Sequence, residues 1–262
     1  MTSAAMHIAR TGLDAQNERM RVISNNLANV NTTGFKRDRA NFETLAYQTI
    51  TQSGAPSTAE TKYAIGLNLG TGVRLAGTSR IETQGSLQQT GNALDMALDG
   101  DGYFQVQLPN SQLGYTRAGN FGRSPEGLLV TAEGYQVMPG ITIPEGATAI
   151  AVGNDGTVSA VVPGQAEPAQ LGQIQVASFP NPAGLTPTGD NYLLETAGSG
   201  PANIGIAGQD GRGRIRQNML EGSNVNVVEE LVDMIETQRA YEVNSKMISA
   251  TDQMLQYVNQ TL

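Results

Sequence analysis

The residue types that most often carry out chemistry in proteins are scarce in this 262-residue sequence. It contains no cysteine, which excludes disulfides, thiolate nucleophiles and cysteine-ligated metal centres. The single histidine is His7, and the sequence assigns it neither a carboxylate nor a serine partner. We therefore expect no enzymatic activity and interpret His7 as a surface or interface residue.

Two further stretches resemble ligand-binding loops only in part. Asp99 and Asp101 have the spacing that opens a calcium loop, but Tyr103 stands where the third oxygen ligand belongs, and no glutamate occupies the twelfth position. The short glycine clusters lack the third glycine of a dinucleotide-binding loop, and no phosphate-binding lysine follows them. Both stretches are interpreted as turns, so the sequence predicts no metal, no cofactor and no small-molecule substrate.

Charge and hydropathy limit the expected partners and location. The formal net charge is −8 and the pI is about 4.7, so nucleic acid, which needs a basic surface, is not an expected partner. No apolar run approaches the roughly 18–20 residues that span a bilayer. The N-terminus also lacks the basic region and apolar core of a secretory signal peptide. On these features alone we expect a cytoplasmic protein.

Proline and glycine are distributed so unevenly that they divide the chain into three parts. All 11 prolines lie between Pro56 and Pro201, and only three of the 31 glycines lie within residues 1–45 or 221–262. Helix interiors exclude proline and disfavour glycine, whereas turns between short strands use both. We therefore expect an α+β fold with a long helix at each end and a β-rich middle.

The first helix is predicted from apolar residues that recur every seven positions, with a second series three positions behind. This is the a/d pattern of a coiled coil, and Asn29 and Gly34 supply residue types that end helices. The first series comprises Met6, Leu13, Met20 and Leu27, and the second comprises Ala9, Gln16, Ile23 and Val30.

The last helix shows a similar repeat, and Asn226 with Glu229 predicts its N-terminal cap. Residues 1–45 carry six basic and four acidic side chains, whereas residues 221–262 carry two basic and seven acidic ones. The two helices are therefore expected to pair as a coiled-coil-like domain; the alternative is a helical hairpin packed on a globular core. The repeat comprises Val227, Met234, Tyr241, Ile248, Leu255 and Leu262, and the positions four residues on are Leu231, Gln238, Ser245, Asp252 and Asn259.

The middle of the chain alternates apolar and polar residues between turn signals, which is typical of an antiparallel β domain. The sequence NDG at 154–156 predicts a hairpin turn, and further strands are predicted within 135–138, 172–179 and 191–196. The predicted domains are residues 1–45, an extended connector at 46–70, a β-rich domain at 71–220 and a C-terminal helix at 221–262.

Three stretches carry a resemblance to a known family. Residues 25–37 (NNLANVNTTGFKR) and 223–256 are similar to the N- and C-terminal signatures of flagellar rod and hook proteins, and residues 83–106 are similar to the family's core pattern. The resemblance covers nearly the whole chain. The signature residues are Asn25, Asn26, Leu27, Ala28, Asn29, Asn31, Thr33, Gly34, Phe35 and Lys36, followed by Gln238, Arg239, Ala240 and Tyr241.

The resemblance implies a structural function. Residues 47–60 and 141–147 are most similar to subunits of the distal rod, which polymerise into a helical tube and transmit motor torque to the hook. The family's terminal helices line the inside of the tube and its β domains lie outside. The expected assembly contacts are therefore the helical seams, formed by Met6, Leu13, Met20, Ile23, Leu27, Val30, Val227, Leu231, Met234, Tyr241, Ile248 and Leu255.

The resemblance also implies partners and a location. Family members leave the cell through the flagellar type III export apparatus without a cleaved signal peptide. This replaces the cytoplasmic expectation with the basal body in the periplasmic space. The implied partners are further copies of the chain in a helical homo-oligomer, the proximal rod subunits, the hook or the hook–rod junction, and the P and L rings.

Two other functions are left open by the residues. One is another flagellar axial subunit, of the proximal rod or the hook, which the connector at 46–70 distinguishes. The other is a β-rich adhesive or binding module with helical oligomerisation ends, which requires a ligand groove that eight tyrosines, five phenylalanines and no tryptophan do not reveal. An enzyme ranks third.

Overall fold

The computed structural model of the protein describes residues 2–56, 62–163 and 167–261. The chain divides into two compact units. The helical unit contains the residues up to 27, residues 38–79 and the residues from 226 onward, and the β unit contains residues 28–37 and 80–225. No helix among the described residues is both long and apolar enough to cross a membrane.

The elements follow the predicted order of helix, strands and helix. Helix α1 spans Thr2–Ala28 and helix α2 spans Val227–Thr261. In the first part of the chain the strands are β1 (Asp38–Thr44), β2 (Gln48–Thr51), β3 (Leu67–Leu69) and β4 (Val73–Arg80). The β unit then contains β5 (Leu87–Gln89), β6 (Met96–Asp99), β7 (Tyr103–Gln107), β8 (Leu113–Thr116), β9 (Gly122–Arg123), β10 (Leu129–Val130), β11 (Gln136–Val137), β12 (Ala149–Val152), β13 (Thr157–Val161), β14 (Ala169–Gln173), β15 (Gln175–Ser178), β16 (Thr186–Gly189), β17 (Tyr192–Leu194), β18 (Asn203–Ile206), β19 (Arg214–Gln217) and β20 (Met219–Glu221).

Both terminal helices form where the sequence predicts them, and their ends have local causes. Helix α1 ends at Ala28, and the turn that follows closes at Gly34, whose φ of 69° favours glycine. At the start of α2, the Asn226 side-chain oxygen accepts a hydrogen bond from the Val228 amide at 3.1 Å, which confirms the predicted cap. Glu229 and Glu230 lie in the first turn of α2, where the positive end of the helix dipole stabilises their negative charges.

The helical unit also contains two pairs of strands. Strand β1 pairs with β4, and β2 pairs antiparallel with β3, so the described part of the predicted connector forms a hairpin. Residues 57–61 of that connector lie outside the described residues. Close to α1, Gly72 has a φ of 120°, and a Cβ at this position would collide with the Thr11 hydroxyl. Glycine is therefore required there for the chain to approach the helix.

The β unit is organised around strand β7. Strand β8 pairs along one edge of β7, and β15 and β11 share the other edge. Nine of the described strands belong to this sheet. Side chains on both faces of β7 are covered, because Phe104 and Val106 are fully buried and Gln105 is only 5% exposed.

One large apolar cluster forms the core of the β unit. Full burial of each large apolar side chain contributes about 1.5–3 kcal/mol, so this cluster supplies a stable core. Its largest members are Met96, Leu98, Phe104, Phe121, Leu129, Ile141, Ile143, Ile174, Tyr192 and Ile215.

The predicted hairpin at residues 154–156 is confirmed. Strands β12 and β13 pair antiparallel with Val152 opposite Val158, and the Asp155 carboxylate accepts a bond from the Thr157 hydroxyl at 2.8 Å. The single strand predicted within 172–179 is instead divided into β14 and β15. The division occurs at Ile174, whose side chain is fully buried and whose amide donates to the Gly156 carbonyl across the turn.

Candidate assembly surfaces and signature residues

Polar side chains of helices α1 and α2 contact each other at several positions along their length. The Asn26 amide nitrogen lies 3.3 Å from the Glu230 carboxylate, and Arg19 lies 3.2 Å from Asp233. At Gly12, an added Cβ would lie 3.1 Å from the Asn244 side-chain nitrogen. Because residue numbers fall along α1 as they rise along α2, these contacts show that the two helices run antiparallel.

Asn26 has the most extensive role in this contact. Its side-chain nitrogen donates to the Asp38 carbonyl at 2.9 Å, and its side-chain oxygen accepts from the Asp38 amide at 3.0 Å. The side chain thus completes the backbone pairing of the first residue of β1 while also reaching Glu230, which is 3% exposed. This signature asparagine is therefore a fold-determining residue within one chain.

The side of α2 that faces α1 includes a series of polar side chains. Successive residues in an α-helix are rotated by about 100°, so Glu230, Thr237, Asn244 and Thr251 share one side. Glu230 is 3% exposed, Thr237 is fully buried, and the Thr237 hydroxyl donates to the Asp233 carbonyl at 2.6 Å. The series with the lowest exposure therefore begins three residues after Val227, and the positions four residues after, from Leu231 to Asp252, are exposed.

The opposite side of α2 carries several exposed apolar side chains, interspersed with the charged residues Arg239, Glu242 and Lys246. On the 100° rotation per residue the apolar side chains centre about half a turn away from Thr237. We call them the outward stripe: Val228 (70% exposed), Leu231 (42%), Val232 (51%), Ile235 (51%), Val243 (59%), Met247 (49%), Met254 (63%) and Tyr257 (70%). Exposed apolar side chains in such number on one helix surface are typical of a protein–protein contact.

The predicted seam residues lie at different depths in the isolated chain. In α1 and the following turn, Ile23 is 4% exposed, and the others, Met6, Leu13, Met20, Leu27 and Val30, are half-buried. In α2, Met234 and Ile248 are half-buried, whereas Val227, Leu231 and Tyr241 are exposed by 38–42%. The side chain of Leu255 lies outside the described residues.

Signature residues after α1 pack inside the β unit. A Cβ on Gly34 would lie 2.6 Å from the Ala118 amide nitrogen, so the chain passes too close for a larger residue. Phe35 is 9% exposed and Lys36 is 3% exposed. The Lys36 ammonium group donates to the Glu221 carboxylate at 2.6 Å and to the Thr83 carbonyl at 2.8 Å.

Glu221 is the centre of a buried ionic cluster. Its carboxylate also accepts bonds from Arg117 at 3.2 Å and from the Gly85 amide at 3.0 Å, and the residue is fully buried. Burial lowers the pKa of Lys36, and the hydrogen bond and charge of Glu221 oppose that shift. Loss of one partner from a buried ion pair costs about 3–5 kcal/mol, because the remaining charge has no counter-charge.

The cluster continues to Tyr103. The Arg117 guanidinium lies 5.5 Å from the centre of the Tyr103 ring, and the Tyr103 hydroxyl donates to Glu82 at 2.8 Å. Burial, followed by the charge of Glu82, raises the pKa of Tyr103. The lysine of the signature was visible in the sequence, but its partner, 185 residues away, had no local signal.

The remaining signature residues are more accessible. Asn29 accepts a bond from the Thr32 hydroxyl at 3.1 Å in the turn after α1, and the Thr33 carbonyl accepts one from the Asn191 side chain at 2.7 Å. Of the other signature residues, Ala240 is half-buried, and the exposed ones are Asn25, Ala28, Asn31, Gln238, Arg239 and Tyr241.

A second apolar surface lies on the hairpin of β2 and β3. Between this hairpin and the start of α1 is a cleft of about 530 Å³, lined by Ala4, Ile8, Leu69 and neighbouring residues. His7 lines the same cleft, with its Nδ1 atom 3.3 Å from the Thr71 carbonyl oxygen. The exposed apolar side chains of the surface are Tyr47 (63%), Ile50 (55%), Tyr63 (47%), Ile65 (84%), Leu67 (50%) and Leu69 (43%).

The acidic stretch at residues 99–101 forms a turn. Gly100 and Gly102 both have positive φ angles, and the chain passes from β6 into β7. Asp99 accepts two bonds from Arg216, at 3.0 and 3.1 Å. Among the described residues, no group of three histidine or acidic side chains is arranged to hold a metal ion.

Comparison with known proteins identifies relatives of the whole chain. Three family models match: "Flagella basal body rod protein" over residues 6–36, "Flagellar hook protein FlgE/F/G D1 domain" over 97–160, and "Flagellar basal body rod FlgEFG protein C-terminal" over 216–261. The flagellar basal-body rod protein FlgG of Buchnera aphidicola subsp. Acyrthosiphon pisum is 51% identical over 98% of both chains. FlgG of Caulobacter vibrioides is 46% identical over 98% of both chains, whereas FlgF of the same organism is 34% identical over 89% of this chain and 87% of its own length.

Proposed function

Because this chain belongs to the FlgG family of flagellar basal-body rod proteins, and so is a structural subunit of the flagellar distal rod, we propose that its copies polymerise into a helical tube that transmits motor torque to the hook. The outward stripe of α2 is the observation that carries the proposal. A helix with one side turned to α1 and exposed apolar side chains on the opposite side has a surface for a second contact. In a homopolymer, another copy of the chain is the available partner.

The second contact must join unlike surfaces if the polymer is to grow. A contact between two copies of the same patch closes into a dimer, whereas a contact between different patches generates an open helical assembly. The chain offers two different apolar surfaces, the outward stripe and the hairpin of β2 and β3. The proposed inner domain is then coiled-coil-like between chains as well as within one. Met234, Tyr241 and Ile248, which border the stripe or face α1, are proposed to complete these helical contacts.

Further partners and the location follow from the place of the subunit in the basal body. We propose that the chain contacts proximal rod subunits at one end of the tube and the hook or hook–rod junction at the other. The P and L rings are its proposed outer neighbours in the periplasmic space, and the flagellar type III export apparatus is its proposed route there. The flagellar relatives over nearly the whole chain support this placement in the basal body.

The proposal is tested by placing a charge in the outward stripe. Ile235→Asp puts a carboxylate at a position that is 51% exposed in the single chain, so the monomer tolerates it, whereas a dry contact between copies does not. The matched control is Gln256→Asp, an exposed position of α2 outside the stripe and the predicted seam. Electron microscopy of purified basal bodies should show the distal rod absent with Ile235→Asp and present with Gln256→Asp. Normal rods with Ile235→Asp would show that the stripe makes no assembly contact.

A further inference from the structure

Three segments of the β unit are hydrogen-bonded to one another. Each of them lies, in the sequence, close to a point where the chain crosses from one unit to the other. The chain crosses from one unit to the other after residues 27, 37, 79 and 225, and the three segments lie close to the last three of these crossings. We call residues 34–37, 81–86 and 221–224 the junction. Its backbone bonds join Gly34 to Glu221 at 2.7 Å, Ile81 to Arg37 at 2.9 Å, and Gly222 to Ser86 at 2.8 Å.

Side chains reinforce each of these connections. Asn224 accepts a bond from the Arg37 amide at 2.7 Å and donates to the Ile81 carbonyl at 2.8 Å, so it bridges two segments from the third. The Glu221 carboxylate likewise binds Lys36 in the first segment and Gly85 in the second. It also binds Arg117, which directly follows β8 of the main sheet.

We propose that Glu221 is a positioning residue for torque transmission, and this inference rests on the proposed function of the chain as a torque-transmitting rod subunit. Force that travels along the backbone from the helical unit enters the β unit through the crossings beside the junction. If the three segments slid past one another, that force would be lost in local deformation. Glu221 links them to each other and, through Arg117, to the main sheet.

The burial of the cluster makes this connection resistant to sliding. Thr83, Gln84 and Ser86 of the junction are exposed, but the Glu221 carboxylate is fully buried, so water reaches that carboxylate only after its bonds to the segments have broken. A merely structural residue would alter how many rods assemble. A positioning residue should instead alter how assembled rods respond to load.

The experiment compares Glu221→Gln with Arg212→Gln, made in the full-length chain in its flagellated host. Glutamine keeps the shape of Glu221 but leaves Lys36 and Arg117 without their buried counter-charge. Arg212 is similarly buried in the same unit and binds Asn203 and Asp210, away from the junction. Rotation of tethered motors is measured at low and high viscous load, with rods counted by electron microscopy.

We expect normal rod numbers and low-load speed for both variants, and a loss of rotation or broken rods at high load for Glu221→Gln alone. In the purified chain, amide exchange at Gly34, Arg37 and Gly85 should accelerate roughly 100-fold or more in Glu221→Gln, since a buried ion pair has lost a partner. Equal behaviour of the two variants at high load would overturn the proposal.

Two additions keep the test decisive if Glu221→Gln does not assemble. Asn224→Ala removes the bridge without leaving a buried charge, and it should show the same load dependence in a milder form. Lys36→Arg keeps a positive charge opposite Glu221, and Lys36→Met removes it. Motors with Lys36→Arg should therefore rotate faster at high load than motors with Lys36→Met. If neither holds, the proposal is wrong. Finding the chain outside the distal rod would instead refute the proposed tube, whatever the junction variants do.

Discussion

The β unit buries most of its large apolar side chains, whereas the helical unit leaves many of its own exposed. In the β unit, Phe104, Leu98 and Ile215 are fully buried, whereas Val228 and Ile235 of α2 are 70% and 51% exposed. Burial removes apolar surface from water, so the β unit has a stabilising core of its own. Among its described residues, the helical unit buries only the apolar side chains of Ala9, Ala15 and Ile23, which give it no comparable core. The difference teaches that one chain can combine a part with its own apolar core and a part whose apolar side chains are left exposed for the proposed assembly.

The largest expected effect compares the two units directly by hydrogen exchange. In a dilute, verified monomer, amides in the middle of α2 should exchange about 1,000-fold faster than those of β7, because isolated helices are marginal and the β unit opens only by global unfolding. In isolated rods the α2 amides should become protected as well. Equally slow exchange of α2 and β7 in the monomer would remove the distinction between the units.

A substitution in each unit should separate them by stability. Phe104→Ala deletes a fully buried ring that packs edge-on against Phe121, with 5.1 Å between the ring centroids. It should lower the free energy of unfolding by about 3–5 kcal/mol. Val232→Ala removes an exposed side chain and should change it by less than about 0.5 kcal/mol. Urea denaturation of the monomer measures both. A loss of similar size at Val232 would show that α2 already packs in the monomer.

How far the sequence predicts this molecule depends on whether a signal is local. The helix cap at Asn226 and the hairpin at residues 154–156 depend on neighbouring residues, and both are confirmed. The exposed Val228 and Ile235 of α2 were missed because heptad counting followed the series through Met234 and Ile248, which are half-buried here. The partner of Lys36 was also unpredictable, since a buried ion pair across 185 residues is created by the fold alone.

High pH should weaken the β unit through its buried tyrosines. The pKa values of Tyr103 and Tyr192 are raised, chiefly by burial, so the folded state keeps both phenols protonated while the unfolded state releases protons near pH 10. Stability is therefore unaffected below about pH 10 and falls as the pH rises above it, by about 1.4 kcal/mol per pH unit for Tyr103.

The control for this prediction is Tyr103→Phe, which leaves no phenol to titrate. The variant is expected to be less stable at neutral pH, because Glu82 loses a bond of 2.8 Å, but its unfolding midpoint should fall less steeply between about pH 10 and 12. Urea midpoints across this range measure the slope. Parallel slopes in the two proteins would show that Tyr103 titrates alike in the folded and unfolded states.

The smallest expected effect is at the ion pair between α1 and α2, where the helical unit makes a charged contact that is only partly buried. Arg19 and Asp233 have side chains 37% and 39% exposed, so water and salt screen their attraction, and Arg19→Ala should cost at most about 1 kcal/mol. Arg21→Ala is the matched control, since Arg21 pairs with Glu18 inside α1 alone. Helix content followed by circular dichroism during thermal unfolding should show a slightly lower midpoint for Arg19→Ala at low salt, and the difference from Arg21→Ala should vanish at high salt. A much larger loss that persists in salt would mean that α1 and α2 hold each other tightly before assembly, and the contrast between the two units would then be one of degree.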